Sequence, residues 1–507
     1  ASSVVAVCLA FSAHMIIRGN WNHYASEVVM VAFAFFAFEC FLRRRIWQLV
    51  PLAILFLVVR GVYHTYVWSI LFFAYALVRL WLEAGWRPRW ITEKVVQLGG
   101  CYLLGVALSA VFLFPNVCEI FGSPRVSGED SPIGAFVGSS LFALNEPQEW
   151  LSSFYGLFAP DLLGRGSFYS GWRNYLEGPH LYVGTLMLLL VPQAFIGRSR
   201  RLRVVLILAL FAVVCYLFIP YVRYFLNAFS GVYYKTSSFW VSLVVAGAGA
   251  LALDNLVRRK RLNLWLLLAT LVVCLFLLRA LLFSDFLIQH LRIKESFLVY
   301  EEVIYVLCVY AGALICLKFD RSRPFGFVIV LLALGFEVDE FAGKSSQDRL
   351  VLRGDSMKTG AYYFDDSLSA VRMIQQADDS FYRIEKGNVS AHLNDSMGQS
   401  YAGLSSYYSF NAGGYLTFLG PGGFDVDYKL PGHGPSYVVG PGSRYVLASL
   451  LSTKYFIRRE WGDPAVPPFY ELWGRAGDAF IYRNRCFIPF GAVYFRPIAE
   501  NRVGELP

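Results

Sequence analysis

Arg258-Arg259-Lys260-Arg261 runs straight into Leu262-Asn263-Leu264-Trp265-Leu266-Leu267-Leu268-Ala269-Thr270-Leu271-Val272-Val273-Cys274-Leu275-Phe276-Leu277-Leu278-Arg279-Ala280-Leu281-Leu282-Phe283. A run of about 20 apolar residues is what a helix needs to cross a hydrocarbon core of roughly 30 Å. The basic cluster before it is the mark of a cytoplasmic helix end. The same arrangement recurs along the chain. Apolar segments fall at 1–17, 25–41, 46–60, 63–82, 95–115, 180–196, 204–220, 236–254, 262–283, 301–317 and 324–338. Arg43-Arg44-Arg45, Arg87/Arg89/Lys94, Arg198/Arg200/Arg201/Arg203 and Lys318/Arg321/Arg323 join Arg258–Arg261 in the connections between them. If all these segments span, every basic cluster lies on one side, which the positive-inside rule makes cytoplasmic. The expectation is a polytopic α-helical membrane protein with about 11 spans.

Composition agrees. At 56% hydrophobic and a mean hydropathy of +0.49, the 507-residue chain is too apolar for an ordinary globular protein. Residues 1–338 carry 28 Lys/Arg against 18 Asp/Glu, whereas residues 339–507 carry 17 against 18. The excess charge therefore sits in membrane loops, and no basic, aromatic-interleaved stretch in the soluble part suggests nucleic acid. The chain opens inside an apolar run without Met and without a basic leader, so the expectation is a fragment that begins mid-protein. Seven of the nine cysteines fall in apolar spans; Cys118 and Cys486 lie outside at no diagnostic spacing, and no CxxC pair suggests zinc.

The opposite side then receives the long loop 116–179 and everything after residue 338. Residues 339–507 read as a soluble, β-rich (α+β) extracytoplasmic domain. Short aromatic or β-branched runs at 381–384, 415–419, 454–457 and 479–482 are separated by Gly/Pro clusters, with helices expected at 366–376 and 445–453. Asn388-Val389-Ser390 matches a glycosylation sequon, a common pattern. Walker, GxSxG and HExxH motifs do not occur, so nucleotide-driven transport and hydrolase chemistry have no support.

Arg60 and His64 stand in Arg60-Gly61-Val62-Tyr63-His64 between two apolar segments with almost no hydrophilic loop. Charge at membrane depth is expensive and faces an aqueous cavity or an anionic partner, so Arg60 is a candidate for a phosphate and His64 for an assisting role. The alternative is a tight outer turn with Arg60 snorkelling to headgroups. In the long loop, Glu119, Glu129, Asp130, Glu146, Glu149, Asp161 and Glu177 are each potential bases towards a sugar hydroxyl. Asp161, between apolar neighbours, is the best placed of them; solvated carboxylates are the ordinary alternative. Segments 133–143 and 150–158 look amphipathic, as caps at the membrane interface. Arg223 and Lys235, among Tyr221, Tyr224, Tyr233 and Tyr234, suit a phosphate with an attached sugar, or equally an aromatic belt with snorkelling cations.

Taken together, Ile17-Arg18-Gly19-Asn20-Trp21, Val62-Tyr63-His64-Thr65-Tyr66, Leu113-Phe114-Pro115, Asn227-Ala228-Phe229-Ser230 ahead of Lys235, Phe381-Tyr382-Arg383-Ile384, Gly403-Leu404-Ser405-Ser406-Tyr407 and Ser449–Tyr455 resemble the YfhO-like bacterial membrane proteins, of the GT-C glycosyltransferase superfamily. The resemblance extends over nearly the whole chain and rests on order and spacing. It implies a multi-pass plasma-membrane enzyme that moves a sugar from a polyprenyl-phosphate donor to an envelope glycopolymer, such as a teichoic acid, outside the membrane. It also implies a catalytic Asp in a first outer loop, which would precede Ala1. On that reading Asp161 and His64 are the catalytic candidates within the chain, and Arg60, Arg223 and Lys235 would hold the lipid phosphate. Nothing in the sequence calls for a cofactor or a metal, although a divalent cation is compatible with it. The rival readings are a transporter or flippase of lipid-linked saccharides, and a non-catalytic envelope assembly protein.

Overall fold

The computed structural model describes residues 2–19, 22–123, 140–141, 143–291, 299–347, 365–387, 393–408, 410–419, 437–441, 444–459, 466 and 469–490. The sequon and most of segment 133–143 lie outside them. The chain divides into two compact units: Ala1–Val117 with Pro132–Arg349, and Cys118–Ser131 with Leu350–Pro507.

The first unit is helical. Among the described residues seven helices are long and apolar enough to cross a bilayer: His23–Arg44, Val62–Ala84, Pro88–Leu108, Arg200–Phe218, Thr236–Arg259, Leu264–Phe283 and Tyr300–Lys318. The other four expected segments are shorter helices, and their interruptions have local causes. The first breaks after Ala10, where the Ala13 amide donates out of the helix to the Tyr182 carbonyl (2.9 Å). Pro192, which has no N–H to donate, ends Thr185–Leu190. Leu49–Val59 has only 11 residues, and Arg323–Val338 has 16.

Leu264–Phe283 shows how such a helix meets two solvents. Only Leu267, Cys274, Leu278 and Leu281 are buried, one seam at helical spacing, while Trp265 and Phe276 are 82% and 70% exposed. A soluble protein would not leave that surface to water; a bilayer makes it costless.

Inside the unit, several buried polar side chains are tied into networks that join helices. Glu39 accepts from Arg79 Nε (2.7 Å), Tyr75 (2.8 Å) and Arg43 Nε (2.8 Å), joining two long helices. Glu337 accepts from Tyr182, Tyr310 and the Thr185 amide.

The basic clusters gather at one end of this unit. Arg201 lies against Gly85, Arg261 against Gly197, Lys260 pairs with Asp320 (2.5 Å), and Arg323 donates to the Val257 carbonyl. The end of Asn22–Arg44 and the start of Pro88–Leu108 line a common cavity with Arg45 and Lys94.

The second unit holds a four-stranded sheet. Strands Arg383–Lys386, Thr453–Arg458, Ala479–Asn484 and Tyr470–Ala476 lie side by side in that order, the first pair parallel and the others antiparallel. Helix Asp366–Ala377 buries Ala370, Val371 and Ile374 in the same core as Ile384, Ile457 and Ile481. The expected strand at 415–419 is instead helix Gly413–Leu419. Leu416 and Leu419, three residues apart, both bury beside Val438, a spacing that one helical face provides and one strand face does not.

Candidate functional site

Arg18 closes the helix Ala13–Arg18 and is fully buried. It donates to the Lys235 carbonyl (2.8 Å), Ser238 Oγ (2.6 Å) and the Gly178 carbonyl (2.8 Å), tying three distant segments together. His14, one turn earlier, stands 3.2 Å from the guanidinium and packs on Phe239.

Around this staple several helices converge at the ends remote from the arginine-rich connections. Leu49–Val59 ends at Arg60, and Gly61, with φ of +117°, reverses the chain directly into Val62–Ala84. A side chain at that φ would be strained, so glycine is what permits a hairpin without a hydrophilic loop. The reversal holds the half-buried Arg60 and His64 beside the start of Asn22–Arg44, where Glu27 is buried to 1% exposure. Glu27 Oε1 accepts from Trp68 Nε1. Its Oε2 makes no hydrogen bond of acceptable geometry, although the Thr236 hydroxyl is beside it, and His64 Nε2 stands 3.9 Å away. Arg60 is close enough to act electrostatically on Glu27, His64 and His23, yet its Nε and Nη2 are buried without a hydrogen bond.

The facing wall is the turn after helix Pro220–Leu226. Tyr63 donates to Asn227 Oδ1 (3.0 Å), and Asn227 Nδ2 reaches the Gly231 and Tyr233 carbonyls (3.1 and 2.8 Å), bracing Ala228 and Phe229 at positive φ. Lys235 follows, with its Nζ 2.8 Å from Glu177 and 5.0 Å from the Tyr233 ring. Partial burial raises the Glu177 carboxyl, but Lys235 outweighs it and holds the group below the usual carboxylate range.

Three of the five residues singled out from sequence thus meet: Arg60, His64 and Lys235 all border this cluster. Arg223 does not. It is fully buried and its five N–H groups are all spent, on Glu149, Asn145 Oδ1 (2.9 Å) and the carbonyls of Tyr216, Leu217 and Val232. No donor remains for a phosphate. Burial pushes its partner Glu149 up to about 7, against the pull of Arg223. Asp161 is buried and accepts from the Tyr175 hydroxyl, whose ring packs on those of Tyr169 and His180. Of the other loop carboxylates, Glu119 accepts from Tyr408 in the second unit, while Glu129 and Asp130 lie outside the described residues. In segment 150–158, expected as an interfacial cap, the apolar residues Leu151, Tyr155 and Phe158 pack into the protein core.

Sequence reasoning missed Glu27 and Arg18. The available signal was Glu27, one of two carboxylates inside the apolar run 25–41, since charge there is expensive in a membrane unless it has a task. The cluster holds Arg18, Arg60 and Lys235 against Glu27 and Glu177, and Arg173 also faces Glu177 at 3.8 Å, so its net charge is positive and suits an anion. Among the described residues no group of three or more His, Cys, Asp and Glu is placed to hold a metal ion.

A family model described as bacterial membrane protein YfhO matches residues 4–504. The chain belongs to the YfhO family. No curated protein and no solved structure matches it. For a YfhO-family chain the arrangement has a plain chemical meaning: a carboxylate oxygen with an open lone pair, an imidazole beside it, and guanidinium donors not yet used.

Proposed function

We propose that this YfhO-family chain is a membrane glycosyltransferase that moves a sugar from a polyprenyl-phosphate donor to a hydroxyl of an envelope polymer, at the side opposite the arginine-rich connections. Glu27 takes the proton of the acceptor hydroxyl, whose oxygen bonds to the anomeric carbon as the bond from that carbon to the phosphate oxygen breaks. Polyprenyl phosphate leaves with the electron pair, held by Arg60 and Lys235, whose charges count for more in a site with little water. His64 orients Glu27. The observation that carries the reading is the buried Glu27 oxygen without a good hydrogen bond, set among His64 and the unspent donors of Arg60.

The test is transfer of labelled sugar from a polyprenyl-phosphate donor by purified full-length protein in liposomes. Glu27→Gln is expected to reduce the rate about 10²-fold or more, as loss of a general base does, and Arg60→Ala to weaken donor use. Asp161→Asn is expected to leave transfer intact. Full activity of Glu27→Gln with loss in Asp161→Asn would move the base to Asp161. Donor crossing the bilayer with no polymer product would replace the transferase by a flippase.

A further inference from the structure

Leu49–Val59, at about 17 Å, is half as long as Val62–Ala84, at about 35 Å, and the two meet at Gly61 at their outer ends. The shorter helix therefore stops well above the arginine-rich end. Beneath it the structure has a cavity of about 650 Å³, lined by Phe41, Arg45, Trp47, Lys94, Gln97, Gly100, Cys101 and Leu104. One turn of Pro88–Leu108 beyond Cys101, Gly105 packs directly on Pro51 and Ile54.

The lining is graded. At the mouth Arg45 is exposed, and Lys94 Nζ lies 2.9 Å from Gln97 Oε1 and 5.3 Å from the Phe41 ring. No carboxylate lines the cavity, and Arg43, the neighbouring cation, is already taken by Glu39. Deeper in, Phe41, Cys101 and Leu104 form an apolar wall, and a Cβ at Gly100 would meet nothing within 4 Å. Trp47, half exposed, stands at the rim, as tryptophans do at headgroup level. A second cavity of about 540 Å³ is lined by Lys260, Arg261, Trp265 and Lys318; Lys260 pairs with Asp320 at 2.5 Å, while Arg261 and Lys318 make no ion pair among the described residues.

We infer that the cavity beneath Leu49–Val59 binds one anionic phospholipid of the surrounding leaflet, its phosphate on Arg45, Lys94 and Gln97 and an acyl chain along Phe41, Cys101 and Leu104. Two unneutralised cations select a net negative headgroup over a zwitterionic one. The apolar wall selects a lipid over a free phosphate. The inference stands independently of the transferase reading.

Native mass spectrometry of the full chain, with phosphatidylglycerol or phosphatidylcholine added in detergent, tests it. Phosphatidylglycerol is expected to remain bound and phosphatidylcholine to be lost. Arg45→Glu with Lys94→Glu is expected to weaken phosphatidylglycerol about tenfold or more. Gly100→Leu, which keeps the charge and fills the space, is expected to weaken it too, while Lys260→Glu at the second cavity leaves it unchanged. Equal retention of the two lipids, or undiminished phosphatidylglycerol binding in both the charge-reversed and the Gly100→Leu proteins, would overturn the assignment. So would full competition by inorganic phosphate, since that would mean an ion site without the lipid.

Discussion

Arg223 is held by charge and stacking as well as hydrogen bonds: its guanidinium lies 4.6 Å from the Tyr234 ring centre and pairs with buried Glu149. Removing one partner of such a pair strands the other in a low-dielectric site, which costs about 3–5 kcal/mol. Arg223→Met is therefore expected to lower the unfolding temperature in detergent strongly. Arg223→Lys is expected to rescue little, because an ammonium cannot reproduce the planar fork. The double change Arg223→Met with Glu149→Leu is expected to recover most of the loss. A double variant no more stable than Arg223→Met would show that the pair's role is not electrostatic. Asp378 in the second unit offers a pH test. Partial burial raises it, but Lys454 (2.6 Å), Ser380 and Tyr455 outweigh that and hold the carboxyl well below its ordinary range. A depressed carboxylate contributes stability that is present above its unfolded value of about 4 and is lost as pH falls below it. Protection from hydrogen exchange at 453–458 in the full chain, taken relative to the intrinsic rate at each pH, should fall on acidification, and Asp378→Asn should show the weaker protection already at pH 7. Exchange in that variant matching the wild type at pH 7 would remove Asp378 from the account.

The helix pair Leu49–Val59 and Pro88–Leu108 depends on a single small residue. A Cβ at Gly105 would come within 2.7 Å of Ile54 Cβ and of the Pro51 carbonyl oxygen, neither of which can swing aside. Gly105→Leu is expected to separate the helices and cost about 1–3 kcal/mol, the usual range for overpacking. Gly99, on the same helix, has nothing within 4 Å of its Cβ position, so Gly99→Ala should be neutral or gain about 0.5–1 kcal/mol from helix propensity. Thermal unfolding of the two proteins separates packing from propensity. Elements also show where sequence reading fails. Apolar blocks near 20 residues were legible because nothing but a membrane span needs them. Leu49–Val59 and Thr185–Leu190 were read as spans because apolar composition does not report helix length. Tyr415–Leu419 reads as a strand because five residues, four of them aromatic or aliphatic, carry both periods at once. The site was legible only in part. Arg60 and His64 stood out by being charged or polar amid apolar sequence. Arg223 looked equally exposed on paper, since nothing local announces a Glu149 that lies 74 residues earlier.

Across the first unit, the arginine-rich connections touch one another while Glu27, Arg60 and His64 stand at the far ends of the same helices. Val62–Ala84 makes the relation explicit: His64 is in its first turn, and Arg79 and Glu83 are in its last two. The separation has a physical cause. Lys and Arg at a span end resist transfer across the bilayer, so a chain that gathers them at one end orients itself on insertion. It follows that the Glu27 cluster and the second unit are expected to share the far compartment, as the proposed transferase requires. Cys486, exposed in the second unit, is a natural reporter. A membrane-impermeant maleimide applied to intact cells is expected to label it, against a background variant lacking the other cysteines. A cysteine in place of Arg201 or Lys260, in a variant without Cys486, is expected to react only after permeabilisation. Labelling in the reverse pattern would put the Glu27 cluster on the cytoplasmic side. There soluble nucleotide sugars are available to any transferase, and the argument for a lipid-linked donor would lose its basis.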